Sequence, residues 1–383
     1  MARALFLVLL LIGAGALAIN RVALRGWAAA AILAGLAALA VTRGGLYILP
    51  GLTIMAGFLF AGLAVTALRR RMLTGPAYDT IRTVLPVVSD TEQQALDAGT
   101  TGFDRELFSG RPDFAKLAAV PPIRLTDEER AFLDGPTDDL CRMIDDWQIR
   151  HVEREIPDEI WSFVKRKGFL GMLISKEHGG LGFSAQAQSL ILGKIASRSP
   201  DAVTIVMVPN SLGPGELLEK YGTPAQRDYY LPRLARGEEV PCFSLTGPTS
   251  GSDAATMRDI GLVERGMHEG RETLGIRLSW DKRYITLGPK ATLVGLAFHL
   301  IDPDNLLGKG ERPGITLAII PASHPGVNIG RRHLPSGAAF PNGPNWGRDV
   351  FIPVDWVIGG AERAGQGWRM LMECLSAGRA ISL

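Results

Sequence analysis

The chain has 383 residues, 41 Lys and Arg against 39 Asp and Glu, and 46% apolar residues. That length allows two or three domains, and the near-neutral charge excludes the basic footprint of a nucleic-acid binder. Its three cysteines (Cys141, Cys242, Cys374) and six histidines are scattered, with no spacing for a disulfide framework or a metal site, which suits a reducing compartment for the soluble part.

Residues Met1 to Leu68 hold only arginines as charges. Apolar stretches run from Ala4 to Ile19, Gly26 to Val41 and Leu46 to Leu68, separated by Arg21, Arg25 and Arg43. Only the third clearly reaches the roughly 20 residues that cross a hydrocarbon core as a helix. Arg69, Arg70 and Arg71 follow it and place that end on the cytoplasmic side. Ala16-Leu17-Ala18 resembles a signal-peptide cleavage site, but the lone leading charge at Arg3 and two further apolar stretches favour an uncleaved anchor. The expectation is a membrane anchor over residues 1–71, two or three hydrophobic helices long.

Residues 72–122 are polar and rich in Pro, Gly and Thr, and read as a surface connector, with Gly99, Gly102 and Gly110 against any helix. Thr126-Asp127-Glu128-Glu129 is a capping box and opens a helical domain over 123–238. Further helices are predicted at Asp158–Lys167, Ser184–Ser197, Pro214–Tyr221 and Pro224–Ala235, the last two closed by Gly222 and Gly237. From residue 239 to 362 short apolar runs predict an antiparallel β domain, barrel or sandwich: Val240–Thr246, Leu274–Trp280, Arg283–Leu287, Thr292–Ile301, Ile315–Ile320 and Val350–Ile358. Over 363–383 the pattern is helical again, with Trp368, Leu371, Met372 and Leu375 on one face, and it stops at Leu383 in mid-pattern, as in a truncated chain.

Two stretches carry chemistry. In Cys242-Phe243-Ser244-Leu245-Thr246-Gly247-Pro248-Thr249-Ser250-Gly251-Ser252-Asp253-Ala254 a strand runs into a loop of Gly, Pro, Ser and Thr. Its backbone N–H groups and hydroxyls suit a phosphate or the electron-rich edge of a flavin; a tight surface turn is the plainer alternative. In Trp280-Asp281-Lys282-Arg283-Tyr284-Ile285-Thr286-Leu287 strand alternation puts Tyr284 and Thr286 on one face, an aromatic to cover a planar ring and a hydroxyl to bond it.

Together these stretches resemble the acyl-CoA dehydrogenase family. Its signature has a strand ending in Leu-Thr, then Glu-Pro, then Gly-Ser-Asp, followed by a Lys-x-Trp-Ile-Thr strand. Lys176-Glu177-His178-Gly179-Gly180-Leu181-Gly182, Tyr221-Gly222-Thr223-Pro224, Leu231-Pro232-Arg233-Leu234-Ala235-Arg236-Gly237 and Gly365-Gln366-Gly367-Trp368 are similar to the family as well, and the hydrophobic start resembles its large membrane-associated bacterial FadE-type members. Gly247 stands where the family has Glu, and Tyr284 where it has Trp.

The resemblance implies an α+β fold: N-terminal transmembrane helices, an all-α domain, an antiparallel β-barrel middle domain that binds FAD, and only the first helix of the C-terminal helical domain. It implies Phe243, Leu245, Thr246, Ser252, Tyr284, Ile285 and Thr286 as flavin-binding residues, the Thr286 hydroxyl near N5, and Ser252 also toward the acyl-CoA. The implied reaction is FAD-dependent dehydrogenation of medium- to long-chain fatty acyl-CoA to the trans-2-enoyl-CoA, first step of β-oxidation. Electrons would pass to an electron-transfer flavoprotein, with the enzyme at the inner membrane, its soluble domains cytoplasmic and homo-oligomerisation left open. No catalytic residue and no metal ligand is assigned within the chain. Where some members carry the base, Ala377-Gly378-Arg379 has no carboxylate, and Glu373 lies more than a turn earlier. An acyl-CoA oxidase and a non-catalytic membrane-bound remnant are the alternatives.

Overall fold

The computed structural model describes residues 2–41, 47–84, 88–97, 102–122, 124–211 and 213–381. Arg43, Leu46, Gly99 and Leu383, which entered the sequence reading, lie outside the described residues. The chain divides into two compact units, Met1–Val88 and Ser89–Leu383, and each is described by itself.

In the first unit α1 (Ala2–Ile19), α2 (Leu24–Val41) and α3 (Ile48–Ala64) are apolar helices. Glycines let α2 and α3 approach closely: a Cβ on Gly35 would lie 2.9 Å from the Pro50 carbonyl oxygen, and one on Gly57 3.0 Å from that of Ala28. The third apolar stretch does not run straight. Val65 is extended (φ −82°, ψ 104°), and the helical direction turns by 88° between Ile48–Ala64 and Thr66–Val84. The Leu63 carbonyl beside this break accepts a hydrogen bond from Arg69 Nη1 (3.0 Å). Among the described residues, α2 is the one helix long and apolar enough to cross a membrane, or one of two if the bent pair counts as a span. Its 18 residues reach about 27 Å at the helical rise.

The stretch read as a connector is helical instead. It holds α4 (Gly75–Val84), α5 (Asp90–Asp97), α6 (Asp104–Phe108) and α7 (Phe114–Ala118). Gly102 and Gly110, both at positive φ, stand in the turns between short helices rather than preventing them, and the Asp113 carboxylate caps α7 by accepting from Ala115 N (3.1 Å).

The helical layer of the second unit comprises α8 (Asp127–Asp134), α9 (Pro136–Met143), α10 (Asp158–Arg166), α11 (Ala185–Arg198), α12 (Thr204–Met207), α13 (Pro214–Tyr221) and α14 (Pro224–Ala235). The Thr126 capping box forms as the spacing predicts. Its Glu129 does more than cap: Oε2 accepts from Thr126 N (2.8 Å), and Oε1 accepts from Ser184 N (2.7 Å), the N-cap of α11. One buried carboxylate thus joins two helix N-termini, where negative charge is favoured. Phe132 meets Phe169 and Phe183 edge-on, at 4.7 and 5.2 Å between ring centres, at the middle of this layer.

The sheet has strands β1 (Pro241–Ser244), β2 (Ile260–His268), β3 (Arg271–Thr286), β4 (Leu293–Ile301), β5 (Gly314–Pro321), β6 (Asn328–Ile329) and β7 (Asn342–Pro353). It is mixed rather than purely antiparallel. β1 and β2 both run parallel to β4 on one edge, paired with Leu293–Leu296 and with His299–Ile301. β5 runs antiparallel on the other edge of β4, and β2–β3, β3–β7 and β6–β7 are antiparallel. Among the described residues no pairing joins β5 to β6, so the predicted barrel is not closed. β7 begins eight residues before the predicted run at Val350, and β2 answers to no predicted strand.

β4 is buried on both faces. Val294 packs on the first helical cluster, Leu293 and Ala297 on α13, α14 and α15 (Gly367–Ile381), and Leu296 and Phe298 on the far side with Ile276, Leu278 and Val350.

Burial would raise the Glu129 pKa, but the hydrogen bonds from Ser184 and Thr126 outweigh it and hold it below the ordinary Glu value. A depressed folded-state pKa stabilises above the unfolded value and is lost as pH falls through the folded one. Glu129→Gln is therefore expected to cost about 1–2 kcal/mol at neutral pH. In urea titrations of the detergent-solubilised chain the gap between wild type and variant should narrow below the ordinary Glu range; a gap independent of pH would contradict this reading.

Candidate functional site

β1 and β2 lie end to end along β4, and residues 245–259 between them leave the sheet and return to it. The start of this loop is tied to β3. Lys282 Nζ donates to the Leu245 carbonyl (2.8 Å), and Arg283 N donates to the Thr246 carbonyl (3.0 Å). Gly247 N then donates to the Ser250 carbonyl (3.0 Å), folding the hydroxyl-rich segment on itself. A Cβ on Gly247 would stand 2.9 Å from Ser250 Oγ, so this turn leaves no room for the Glu of the resembled signature without moving buried Ser250. Beside the loop a hollow of about 320 Å³ opens, with Arg258 and Arg348 in its lining.

Opposite the loop β3 is irregular. Its register against β7 slips between Lys282 and Ile285, and Tyr284 has φ 59°. Lys282 and Ile285 are both buried although three apart, which regular alternation forbids. The slip pushes the Tyr284 ring outward, 58% exposed, where it meets the His333 ring edge-on at 5.3 Å. Asn342, buried at the start of β7, donates through Nδ2 to the Tyr284 carbonyl (3.3 Å) and to Thr286 Oγ1 (3.2 Å). Thr286 thus accepts from Asn342, and its own hydroxyl proton has no acceptor among the described residues. Asn342 Oδ1 and His333 Nε2 are buried without partners in the same place. Deeper in, Asn345 accepts from Trp280 Nε1 (3.0 Å) and donates to Ser244 Oγ (2.8 Å), locking β7, β3 and β1.

The residues singled out in the sequence do not all face one way. Thr246, Tyr284 and Thr286 lie where loop and slipped strand meet. Ser252 is exposed on the loop. Phe243 is buried against α13 and fills the space left by Gly295, opposite it on β4, and Leu245 packs on the same cluster. Ile285 is buried in the other helical cluster with Cys242 and Val294. The side chains of Phe243 and Ile285 are therefore core, and only their backbone is available to a ligand. Lys282, Asp259, Asn342, His333 and Asn345 belong to the site and were not singled out. Lys282 stood inside the recognised strand; Asn342 and Asn345 lie in the part of β7 that precedes its apolar run, and a lone Asp in a loop, such as Asp259, carries no spacing signal.

Residues 126–238 match the family model for the acyl-CoA dehydrogenase N-terminal domain. The chain is 29% identical over 281 residues to the probable acyl-CoA dehydrogenase FadE10 of Mycobacterium tuberculosis, covering 72% of this chain and 40% of that protein. Protein HemX of Proteus mirabilis is 59% identical over 87 residues, 23% of this chain and 51% of that protein. The chain thus spans about half the length, or less, of these curated relatives. A crystal structure of an acyl-CoA dehydrogenase complexed with FAD from Bacillus anthracis superposes with a TM-score of 0.56, over 67% of this chain and 41% of that one, at 21% identity, a likeness of fold. Residues 126–238 thus form an acyl-CoA dehydrogenase N-terminal domain, and from there onward the chain is similar to proteins of that family.

Proposed function

We propose that this protein takes part in FAD-dependent dehydrogenation of medium- to long-chain fatty acyl-CoA to the trans-2-enoyl-CoA, with its N-terminal helices in the cytoplasmic membrane and an electron-transfer flavoprotein as acceptor. The observation that carries this reading is the meeting of loop 245–253 with the slipped strand at Tyr284–Thr286. An exposed aromatic ring, an outward-free hydroxyl proton and two buried unpartnered polar atoms, Asn342 Oδ1 and His333 Nε2, lie together there. Buried polar atoms without partners are costly, and a heteroaromatic ring with donors and acceptors on its edge would satisfy them. The residues present therefore fit a flavin.

FAD, when bound, supplies the acceptor for the hydride that leaves the β-carbon of the acyl group. The protein's own residues bind and orient. Asn342 occupies the acceptor side of the Thr286 hydroxyl and leaves its proton to be donated to the ligand. Tyr284 offers a face on which a planar ring can stack. Arg258 and Arg348, in the hollow beside the loop, suit the phosphates that both FAD and coenzyme A carry.

Removal of the α-proton needs a carboxylate that is free to accept it, and no described residue of this chain is assigned that role. Glu373 on α15 is engaged: its carboxylate accepts from the Tyr221 hydroxyl and from Arg369 Nε (3.0 Å). The Tyr221 hydrogen bond, with that of Arg369, holds its pKa below the ordinary Glu value, the wrong direction for a base of raised affinity for protons.

FAD added to the purified chain in detergent should bind and restore flavin colour, and Thr286→Val should weaken binding by about tenfold, one hydrogen bond's worth. A chain that folds yet stays colourless in excess FAD sinks the proposal. Fractionation checks the membrane part: the full chain should sediment with membranes after breakage without detergent and stay there through an alkaline wash. Release by that wash would contradict an inserted anchor.

A further inference from the structure

Lys282 is fully buried, and its ammonium reaches both ends of the loop between β1 and β2. Nζ donates to the carbonyl of Leu245, the loop's first residue (2.8 Å), and to Oδ2 of Asp259, its last (2.5 Å), with Met257 Sδ at 3.8 Å. Asp259 is itself fixed from two sides. Its Oδ1 accepts from Asp281 N (2.9 Å) on β3, and its carbonyl accepts from His299 N (2.9 Å) on β4. Burying an ammonium is costly, and a buried ion pair is often no more stabilising than apolar residues of the same volume. Burial lowers the Lys282 pKa against the opposing pull of Asp259, in line with that cost. Stability alone is therefore a weak account of this pair, which reaches across the neck of a loop that faces the slipped strand.

We infer that Lys282 and Asp259 are positioning residues: together they close the neck of loop 245–259 and hold Leu245 and Thr246 in register with Tyr284–Thr286, so that the loop meets a ligand preformed. An ammonium can do this where an apolar side chain cannot, because it carries several donors at one point and so ties three chain segments together. Lys282 touches no ligand in this role and acts through the Leu245 carbonyl. The functional consequence rests on the flavin reading above; the staple itself does not.

Amide hydrogen exchange on the full chain in detergent tests the staple without cofactor. In the wild type, the amides of Gly247 and Arg283, which donate to the Ser250 and Thr246 carbonyls, should exchange far more slowly than an unstructured segment; exchange at unstructured rates would overturn the proposal outright. Lys282→Met leaves Asp259 buried and unpaired and is expected to lower the melting temperature. The double variant Lys282→Met with Asp259→Leu removes both charges, and is the informative one. It should melt above the single variant, since no buried charge is left unpaired, yet exchange these two amides about tenfold faster and bind FAD about tenfold more weakly, because the Leu245 carbonyl and Asp281 N lose their partners at the neck. A folded double variant with wild-type loop exchange and wild-type FAD affinity overturns the inference. If the wild type binds no FAD, the flavin reading fails alone, and the exchange comparison still decides whether the staple exists.

Discussion

β1 and β2 share one edge of β4, and that sharing shapes everything around the site. Between Ser244, paired with Leu296, and Ile260, paired with His299, β4 has two residues where the other chain has fifteen, so the chain between β1 and β2 must leave the sheet and come back. Outside the sheet, residues 245–259 lose ladder partners, and their polar backbone groups need others. β3 provides these. The Leu245 and Thr246 carbonyls find Lys282 and the Arg283 amide, and β3 slips its register against β7 just past those residues. The slip turns Tyr284 outward. A strand that stayed regular would keep its ladder with β7, and it would present no ring beside the loop.

The packing around β4 explains why this arrangement tolerates little change. The strand is covered on both faces, and close fit is obtained with glycine rather than with large side chains alone. Gly295 makes room for the Phe243 ring, and Gly261 faces Phe298 and Ile276 so closely that an added Cβ would lie within 2.7 Å of both. The helical layer and the strands thus share two clusters: Cys242, Ile285 and Val294 with the α8–α12 side, and Phe243, Leu293 and Ala297 with α13–α15. Loop and slipped strand are therefore seated on cores to which both helical groups contribute, and a large-to-small change at Ile285 or Phe243 would be felt at the site through packing rather than through chemistry.

Much of this was legible in the sequence where a local rule operates alone. The Thr126 capping box needs only its own four residues, and the apolar run at Thr292–Ile301 reads as a strand because β4 is buried on both faces. The strand at Ile260–His268 was invisible for a physical reason. Its inward positions include Gly261, which fits only beneath Phe298, while Ile260, Leu262 and Met267 point outward and exposed. The apolar alternation is inverted, and the information that rescues it sits on other strands. The parallel pairing of β1 and β2 with β4 is likewise a property of three distant segments. At the site, motif likeness found the loop and the strand, but not the partners that hold them. Asp259 and Asn342 sit at the ends of elements, and an end has no periodicity from which a role can be read. The helices at Asp104–Phe108 and Phe114–Ala118 escaped for the opposite reason: Gly102 and Gly110, which count against a helix in sequence, stand just before the first and between the two.

The direction of one hydrogen bond decides what the site can do. A threonine hydroxyl has one proton to give and lone pairs to receive, and its chemistry toward a ligand depends on which is already used. Asn342 meets Thr286 with an amide N–H, as its second contact to the Tyr284 carbonyl requires, since that oxygen can only accept. The Thr286 oxygen is therefore the acceptor within the protein, and its proton is what remains for a partner. On the flavin reading proposed above, an atom that gains electron density as it accepts hydride would be better bound by a donor than by an acceptor, and the preference would grow as charge develops. The buried amide of Asn342, on a different strand and 56 residues from Thr286 in sequence, thus sets the polarity of a site whose motif names only the threonine.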